Sequence, residues 1–131
     1  MSETLLRTPL YDLHLELGDI LVDFKQYNEA IAQFQKASQT DRLRAIGKAK
    51  LARCLVVKSL FDLADETIRE IALDENDREF IEPLKEVLYD IATRFESERY
   101  YQKAGALYKQ IFKVDASYRD VVEKVEKFTS N

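Results

Sequence analysis

A pattern of large and small apolar residues recurs three times along the chain, and this self-similarity constrains the fold more than any other feature. Each copy has an aromatic residue, an alanine three positions later, a large apolar residue four positions after that, and a further apolar residue. Ten residues before each aromatic stands a large aliphatic residue followed by glycine or alanine. The aromatics are 34 residues apart (27 to 61) and then 40 apart (61 to 101), a period typical of stacked helical repeats. The three copies are Leu17-Gly18 with Tyr27, Ala30, Phe34 and Ala37, then Leu51-Ala52 with Phe61, Ala64, Ile68 and Ile71, then Ile91-Ala92 with Tyr101, Ala104, Tyr108 and Ile111.

The spacing inside each copy predicts two helices that cross closely. A small residue on each helix lets the two backbones approach, and the large residues fill the gaps beside the crossing. Because one pair cannot bury both of its apolar faces, the pairs are expected to stack and share a core. With only three glycines and two prolines in 131 residues, the chain lacks the turn residues that β architectures need. We therefore predict an all-α fold that forms a single domain over residues 1–131.

These positions resemble the tetratricopeptide repeat (TPR), a helix-turn-helix unit of 34 residues, over about residues 11–115. The first copy agrees with the family's signature at Leu17, Gly18, Tyr27, Ala30, Phe34 and Ala37, while His14 stands where tryptophan is common. The resemblance implies three antiparallel helix pairs, at about 11–44, 45–78 and 85–116, that stack as a right-handed α-solenoid. The chain departs from the family where Arg42 and Ala116 replace a frequent proline, and in six extra residues between the second and third copies.

The helices are expected at about 9–24, 27–39, 43–57, 60–73, 78–97, 100–113 and 117–129. Thr8-Pro9 predicts the start of the first helix, as a cap followed by proline at the first helical position. Residues 74–83 either lengthen the fifth helix or form a short packed loop, and we favour the longer helix. The last segment predicts an amphipathic capping helix at 117–129, with an apolar stripe of Tyr118, Val121, Val122, Val125 and Phe128. Its stretch Tyr118-Arg119-Asp120-Val121 resembles the ending of bacterial TPR arrays.

The residues that catalysis and metal binding require are nearly absent from the sequence. There is one histidine, His14, at a core-facing position, and one cysteine, Cys54, inside an apolar helical stretch. Zinc sites need four such ligands, and general acid-base catalysis most often needs histidine. A packed histidine and an inert buried thiol are therefore favoured over functional ones. We expect no enzyme, with no catalytic residue, no cofactor and no metal.

Charge and hydropathy exclude two further classes of function. The 20 basic residues are scattered among 24 acidic ones, for a net charge of −4, whereas nucleic-acid binders concentrate Lys and Arg on one face. No apolar stretch approaches the 18 residues of a membrane-spanning helix. A single cysteine cannot form a disulfide within the chain, which favours a reducing compartment. We therefore predict a cytoplasmic protein that binds neither nucleic acid nor membrane.

The TPR resemblance implies that the first helix of each pair lines an inner, concave groove that receives a peptide or a partner helix. On the first helix, Leu13, Leu17, Ile20 and Phe24 form a predicted core stripe, and Leu15 and Val22 form a second apolar set that core packing does not explain. Acidic residues flank this set and favour a partner with basic neighbours. The alternative that these are ordinary solvated helix faces stays open. The predicted groove consists of Asp12, Leu15, Asp19, Val22, Asp23, Ile46, Ala49, Arg53, Val56, Val57, Tyr89 and Thr93.

The function predicted from these features is a protein–protein interaction module that binds a peptide or an amphipathic helix of a partner protein in this groove. The alternative is a structural section or spacer of a longer TPR array, or of a multidomain protein, with no ligand of its own. The sequence does not predict an oligomeric state.

Overall fold

In the computed structural model, the backbone is described for residues 2–129 and the side chains for residues 10–129. Over that range the chain forms seven α-helices and no strand, so the all-α prediction is confirmed. A short 3₁₀ turn at Asp41–Leu43 precedes the third helix. The helices are α1 (Ser2–Asp23), α2 (Tyr27–Ala37), α3 (Arg44–Val57), α4 (Phe61–Arg69), α5 (Ile81–Ser97), α6 (Tyr101–Val114) and α7 (Val121–Thr129).

The chain divides into two compact units, Met1–Ile71 and Ala72–Asn131, which we call unit 1 and unit 2. In unit 1, α1 packs on α2, α2 on α3, and α3 on α4. In unit 2, α6 packs on both α5 and α7. Connections of three residues join α1 to α2, α3 to α4, and α5 to α6. Each of these pairs is therefore a helical hairpin with antiparallel members.

The three hairpins turn in the same way. The middle residue of each connection, Lys25, Ser59 or Arg99, has a left-handed backbone with φ of 61°, 64° and 68° respectively. Its N–H donates to the carbonyl three residues earlier, and the next N–H donates to the carbonyl five residues earlier, at distances of 2.8 to 3.0 Å. These two bonds form the Schellman motif that ends a helix. The recurrence of this turn follows the sequence spacing, since 25, 59 and 99 are also 34 and 40 residues apart.

None of these left-handed positions holds glycine, and this gives a test of the turn geometry. We expect Ser59→Gly to stabilise the protein by about 0.5 to 1 kcal/mol, because a side chain in this backbone region costs on the order of 1 kcal/mol that glycine avoids. Urea unfolding followed by circular dichroism measures the change. The matched control is Ser38→Gly, since Ser38 ends α2 with an ordinary φ of −73°. A gain of stability in the control that equals the gain at Ser59 would contradict the explanation.

The three alanines of the sequence pattern lie in the core. All three are 0% exposed, and the large residue four positions after each is buried as well. The predicted burial of the small residue is thus confirmed on the second helix of each hairpin. The pairs are Ala30 and Phe34, Ala64 and Ile68, and Ala104 and Tyr108.

The first helix begins earlier than its sequence predicts. Helix α1 starts at Ser2, so that Thr8-Pro9 lies inside it and the predicted start is wrong. Proline removes one backbone hydrogen bond from a helix, but the residues before it, 3–7, include Glu, two Leu and Arg, which are strong helix formers. Helix propensity on both sides of Pro9 outweighs the loss of this one hydrogen bond, so the helix continues through the proline.

The extra residues between the second and third copies form a loop, so the prediction of a longer fifth helix is wrong. Helix α5 begins only at Ile81. The carboxylate of Asp74 accepts the N–H of Asn76 at 2.9 Å, and that of Asp77 accepts the N–H of Phe80 at 3.2 Å. Aspartate side chains that bond nearby backbone groups compete with the helix. Pro83 lies in the first turn of α5, where its missing N–H has no intrahelical partner to lose.

The capping helix also starts later than predicted, at Val121 instead of 117. Asp115 accepts hydrogen bonds from both the N–H and the hydroxyl of Ser117, which holds the preceding residues in a turn. Val121 is fully buried, whereas Val122 is exposed and does not belong to the apolar stripe. Helix α7 therefore covers unit 2 with a narrower face than the sequence predicts.

Candidate functional site

One face of α1 packs against the other helices of unit 1. This is the face that was predicted to line the groove. Leu15 and Val22 are half-buried and pack against the cluster that contains Phe34. At Gly18 a Cβ would lie only 2.4 Å from Cε1 of the Phe34 ring, so the absence of a side chain there makes room for α2. Leu15 and Val22 therefore support the fold, and only part of each side chain is open to a ligand.

A second face of α1 carries a row of exposed apolar side chains, which we call the α1 stripe. The prediction that most of this row faces the core is wrong. Two apolar rows run along α1, and periodicity alone does not tell which of them meets α2; the fit of the Phe34 ring against Gly18 sets the rotation of the helix. The α1 stripe consists of Leu10 (55% exposed), Leu13 (57%), Leu17 (42%), Ile20 (51%) and Phe24 (71%).

The predicted acidic wall of α1 is partly neutralised within unit 1. Asp12 forms an ion pair with Arg42. Asp19 accepts two hydrogen bonds from Nζ of Lys50 on α3, at 2.7 and 2.9 Å. Asp23, at the end of α1, is exposed. The charge that remains on this side of α1 is weaker than the sequence suggests, because two of the three carboxylates already have cationic partners.

On α3 the predicted groove residues separate into buried and accessible ones. Ile46, Ala49 and Val56 are 1%, 0% and 2% exposed, so they have almost no surface to offer a ligand. Arg53 is partly exposed, and Val57 is 41% exposed at the last position of the helix. Of the α3 residues, Arg53 and Val57 are therefore the ones that a partner can reach.

Tyr89, which was predicted to line the groove, holds the segment before α7 in unit 2. Its hydroxyl donates to Asp120, and its ring lies edge-on to those of Tyr108 and Tyr118, with centroids 5.6 and 5.8 Å apart. The guanidinium of Arg119 lies 4.9 Å from the centroid of the Tyr89 ring. Burial and the hydrogen bond to Asp120 raise the pKa of Tyr89 to about 12. Its contacts are thus internal to unit 2.

Thr93, by contrast, lies at a cleft of about 970 Å³ formed by α5, α6 and α7. Inside this cleft Glu96 accepts hydrogen bonds from the hydroxyl of Tyr108 at 2.8 Å and from Lys124 at 3.0 Å. Burial opposes the charge of Glu96, but these two bonds lower its pKa below the usual value. The floor is aromatic, because the rings of Tyr101 and Phe128 stack with centroids 5.4 Å apart. Of these residues, only Thr93 was predicted from the sequence to belong to a binding site.

Unit 2 also contains a buried lysine that was not predicted from the sequence. Lys85 is 4% exposed, and its Nζ lies 2.7 Å from Asp115 and 2.8 Å from Glu82. Burial alone would lower the pKa of Lys85, but the hydrogen bonds and charges of these two carboxylates raise it. The same bond lowers the pKa of Asp115. A lysine on the apolar face of α5, between Leu84 and Val87, is the signal that could have identified it.

Lys85 and Lys124 both form ion pairs with carboxylates of unit 2. Burial raises the pKa of the Cys54 thiol to about 11, which keeps it protonated and unreactive near neutral pH. His14 shares a hydrogen bond of 2.7 Å with the side chain of Gln33 on α2.

In the part of the chain that the structure describes, no three His, Cys, Asp or Glu side chains are grouped so that they could hold a metal ion. Within the same residues, no helix combines the length and apolar character needed to cross a membrane.

No protein-family model matches the chain, and no curated protein is similar to it.

Proposed function

We propose that this chain is a TPR-like protein–protein interaction module that binds a peptide or an amphipathic helix of a partner along the first helices of its hairpins. Two features support the TPR-like part of the proposal. The same Schellman turn recurs at Lys25, Ser59 and Arg99, and the same fully buried alanine recurs on each second helix. A right-handed stacking of the three hairpins is part of the proposal, since this is how TPR-like pairs share a continuous core.

The observation that carries the binding function is the ion pair that joins Asp19 of α1 to Lys50 of α3 in unit 1. Lys50, with only 16% of its side chain exposed, bonds both carboxylate oxygens of Asp19 across these two helices. A surface whose helices are already held in place loses less conformational entropy when a ligand binds. Among the predicted groove residues of unit 1, Asp23 and Val57 are exposed and Arg53 is partly exposed. Asp12 and Asp19 keep 35% and 45% of their side chains exposed, but both are already ion-paired.

The accessible residues define the chemistry of the partner. Val57 offers an apolar contact, while Asp23 and Arg53 are of opposite sign. Because Asp12 and Asp19 are ion-paired, a strongly basic partner has less to gain here than the sequence suggests. An amphipathic segment with one apolar anchor and mixed charges fits this surface best.

A photo-crosslinking comparison tests the proposal. With benzoylphenylalanine at Val57, we expect one discrete crosslinked protein in an extract of the native cells. With the same probe at Glu29 of α2 or Glu66 of α4, which are exposed on the second helices, we expect none. Val57→Arg should abolish binding of the crosslinked protein, whereas Glu29→Lys should leave it unchanged. Crosslinks confined to Glu29 and Glu66 would place the binding surface on the second helices and contradict the proposal.

The α1 stripe favours a second candidate function, a structural section of a longer array. In a stacked array each pair covers an apolar face of the next, and a preceding pair would cover the α1 stripe. Further repeats encoded upstream of residue 1 would support this candidate, and an array that includes them should show the α1 stripe protected from labelling.

A further inference from the structure

We propose that the α1 stripe (Leu10, Leu13, Leu17, Ile20 and Phe24) packs against the α1 stripe of a second copy, so that two chains associate through a parallel pair of α1 helices. This surface lies on a different face of α1 from Asp19, which bonds Lys50 on the proposed partner-binding surface, and Asp23 stands at the border between the two faces. The inference therefore goes beyond the proposed function and does not depend on it.

The spacing of the stripe matches the seam of a two-helix coiled coil. Its members follow one another at intervals of 3, 4, 3 and 4 residues, from 10 to 13, 17, 20 and 24. Alternation of 3 and 4 keeps apolar residues on a line that faces a second helix over its whole length. Although Phe24 follows the last residue of α1, its N–H still donates to the carbonyl of Ile20 at 3.2 Å, so the row continues to the helix end.

The exposed area of the stripe fits a dimer of modest affinity. Five large side chains, each with a surface on the order of 200 Å², are between 42% and 71% exposed. They leave about 500 Å² of apolar surface in water, which is near the largest patch of a typical monomer. Two copies together would bury about 1,000 Å², just below the range of about 1,200 Å² at which specific, stable interfaces begin. The dimer is therefore concentration-dependent.

The charges beside the stripe favour a parallel pair. Glu16 and Asp23 are exposed and lie along the same edge of the stripe. In an antiparallel pair this acidic edge would meet the same edge of the other copy, and like charges would repel. In a parallel pair it meets the opposite edge, where His14 and Leu21 stand. A two-fold axis along the pair also matches each stripe residue with its own copy.

Analytical ultracentrifugation of the whole chain, from low micromolar to several hundred micromolar, tests the association. We expect a reversible monomer–dimer equilibrium. Leu13→Glu should weaken it at least about tenfold, because it places a charge in the centre of the seam. Leu63→Glu on α4 is the matched control, since Leu63 is exposed to a similar extent, 48% against 57% for Leu13. The control should dimerise like the unchanged chain, and circular dichroism should find the same helicity in all three proteins.

Disulfide crosslinking tests the orientation. Leu10→Cys and Phe24→Cys stand near the two ends of the stripe, and the native Cys54 is buried. In a parallel pair each variant crosslinks to itself under mild oxidation, and in an antiparallel pair crosslinks form only when the two variants are mixed.

Three outcomes would overturn the proposal: a chain that stays monomeric at every concentration, a dimer that Leu13→Glu leaves intact, or crosslinks that form only in the mixture. A monomer that still gives the crosslinked protein from Val57 would remove the dimer and leave the proposed function standing. A dimer that gives no crosslinked protein from Val57 would support the dimer and contradict the proposed function.

Discussion

Val56→Arg is expected to destabilise the protein by more than about 3 kcal/mol, whereas Val57→Arg changes its stability by no more than about 0.5 kcal/mol. Val56 is 2% exposed, so an arginine there must either bury an unpaired charge or displace its neighbours. Val57 is 41% exposed at the end of α3, where a basic side chain also interacts favourably with the helix dipole. Urea unfolding of the two variants, followed by circular dichroism, measures both changes.

The comparison is sharp because the two residues are identical and adjacent. Composition, length and net charge are the same in both variants, so burial of the substituted residue is the property that differs. Similar losses of stability in both variants would mean that the end of α3 is packed differently from the structure described above. A stable Val56→Arg variant would mean that Val56 is an accessible groove residue, as the sequence predicts.

Phe34→Ala is expected to cost about 3 to 5 kcal/mol, the range observed when a buried phenylalanine is truncated. The ring is 0% exposed and fills the space between α1 and α2 that Gly18 leaves open. Truncation therefore leaves a cavity between two helices that their short connection already holds together. Thermal unfolding measures the loss, with Lys36→Ala on the exposed side of α2 as the control. A loss below about 1 kcal/mol would contradict the packing of this ring against α1.

The contact between Phe34 and Gly18 adds a coupling to this prediction. Gly18→Ala raises helix propensity and would stabilise an isolated helix by about 1 kcal/mol. In the protein it should destabilise, because the new Cβ would lie 2.4 Å from the ring. In the background of Phe34→Leu, whose side chain is smaller, most of this cost should disappear. Additive effects in the double mutant would show that the two residues do not share the contact.

The packing of Phe34 against Gly18 also explains why the sequence predicts that α1 is amphipathic but does not predict which of its faces packs on α2. Leu13, Leu17 and Ile20 form one apolar row, and Leu15 and Val22 belong to another. Both rows have helical spacing, so the sequence predicts an amphipathic helix without choosing its rotation. The ring of Phe34 makes that choice, because it fits only against the position without a side chain.

Spacing alone was sufficient for the all-α class, for the helical hairpins at the 34- and 40-residue intervals, and for the buried alanines on their second helices. These features depend on residues a few positions apart in the chain, and helix geometry converts such spacing directly into shared faces. For the candidate site the sequence indicated that the first helices carry accessible residues, and Asp23, Arg53 and Val57 remain accessible.

Tertiary structure alone decided that Val56 is buried while Val57 is exposed, that the α1 stripe is exposed among the residues whose side chains are described, and that Lys85 is paired inside unit 2. Each of these outcomes depends on a residue from another helix or loop: Lys85, for example, meets Asp115, which is 30 positions away. Periodicity along one helix describes which side chains share a face, but burial and ion pairing depend on what another helix or loop brings to that face.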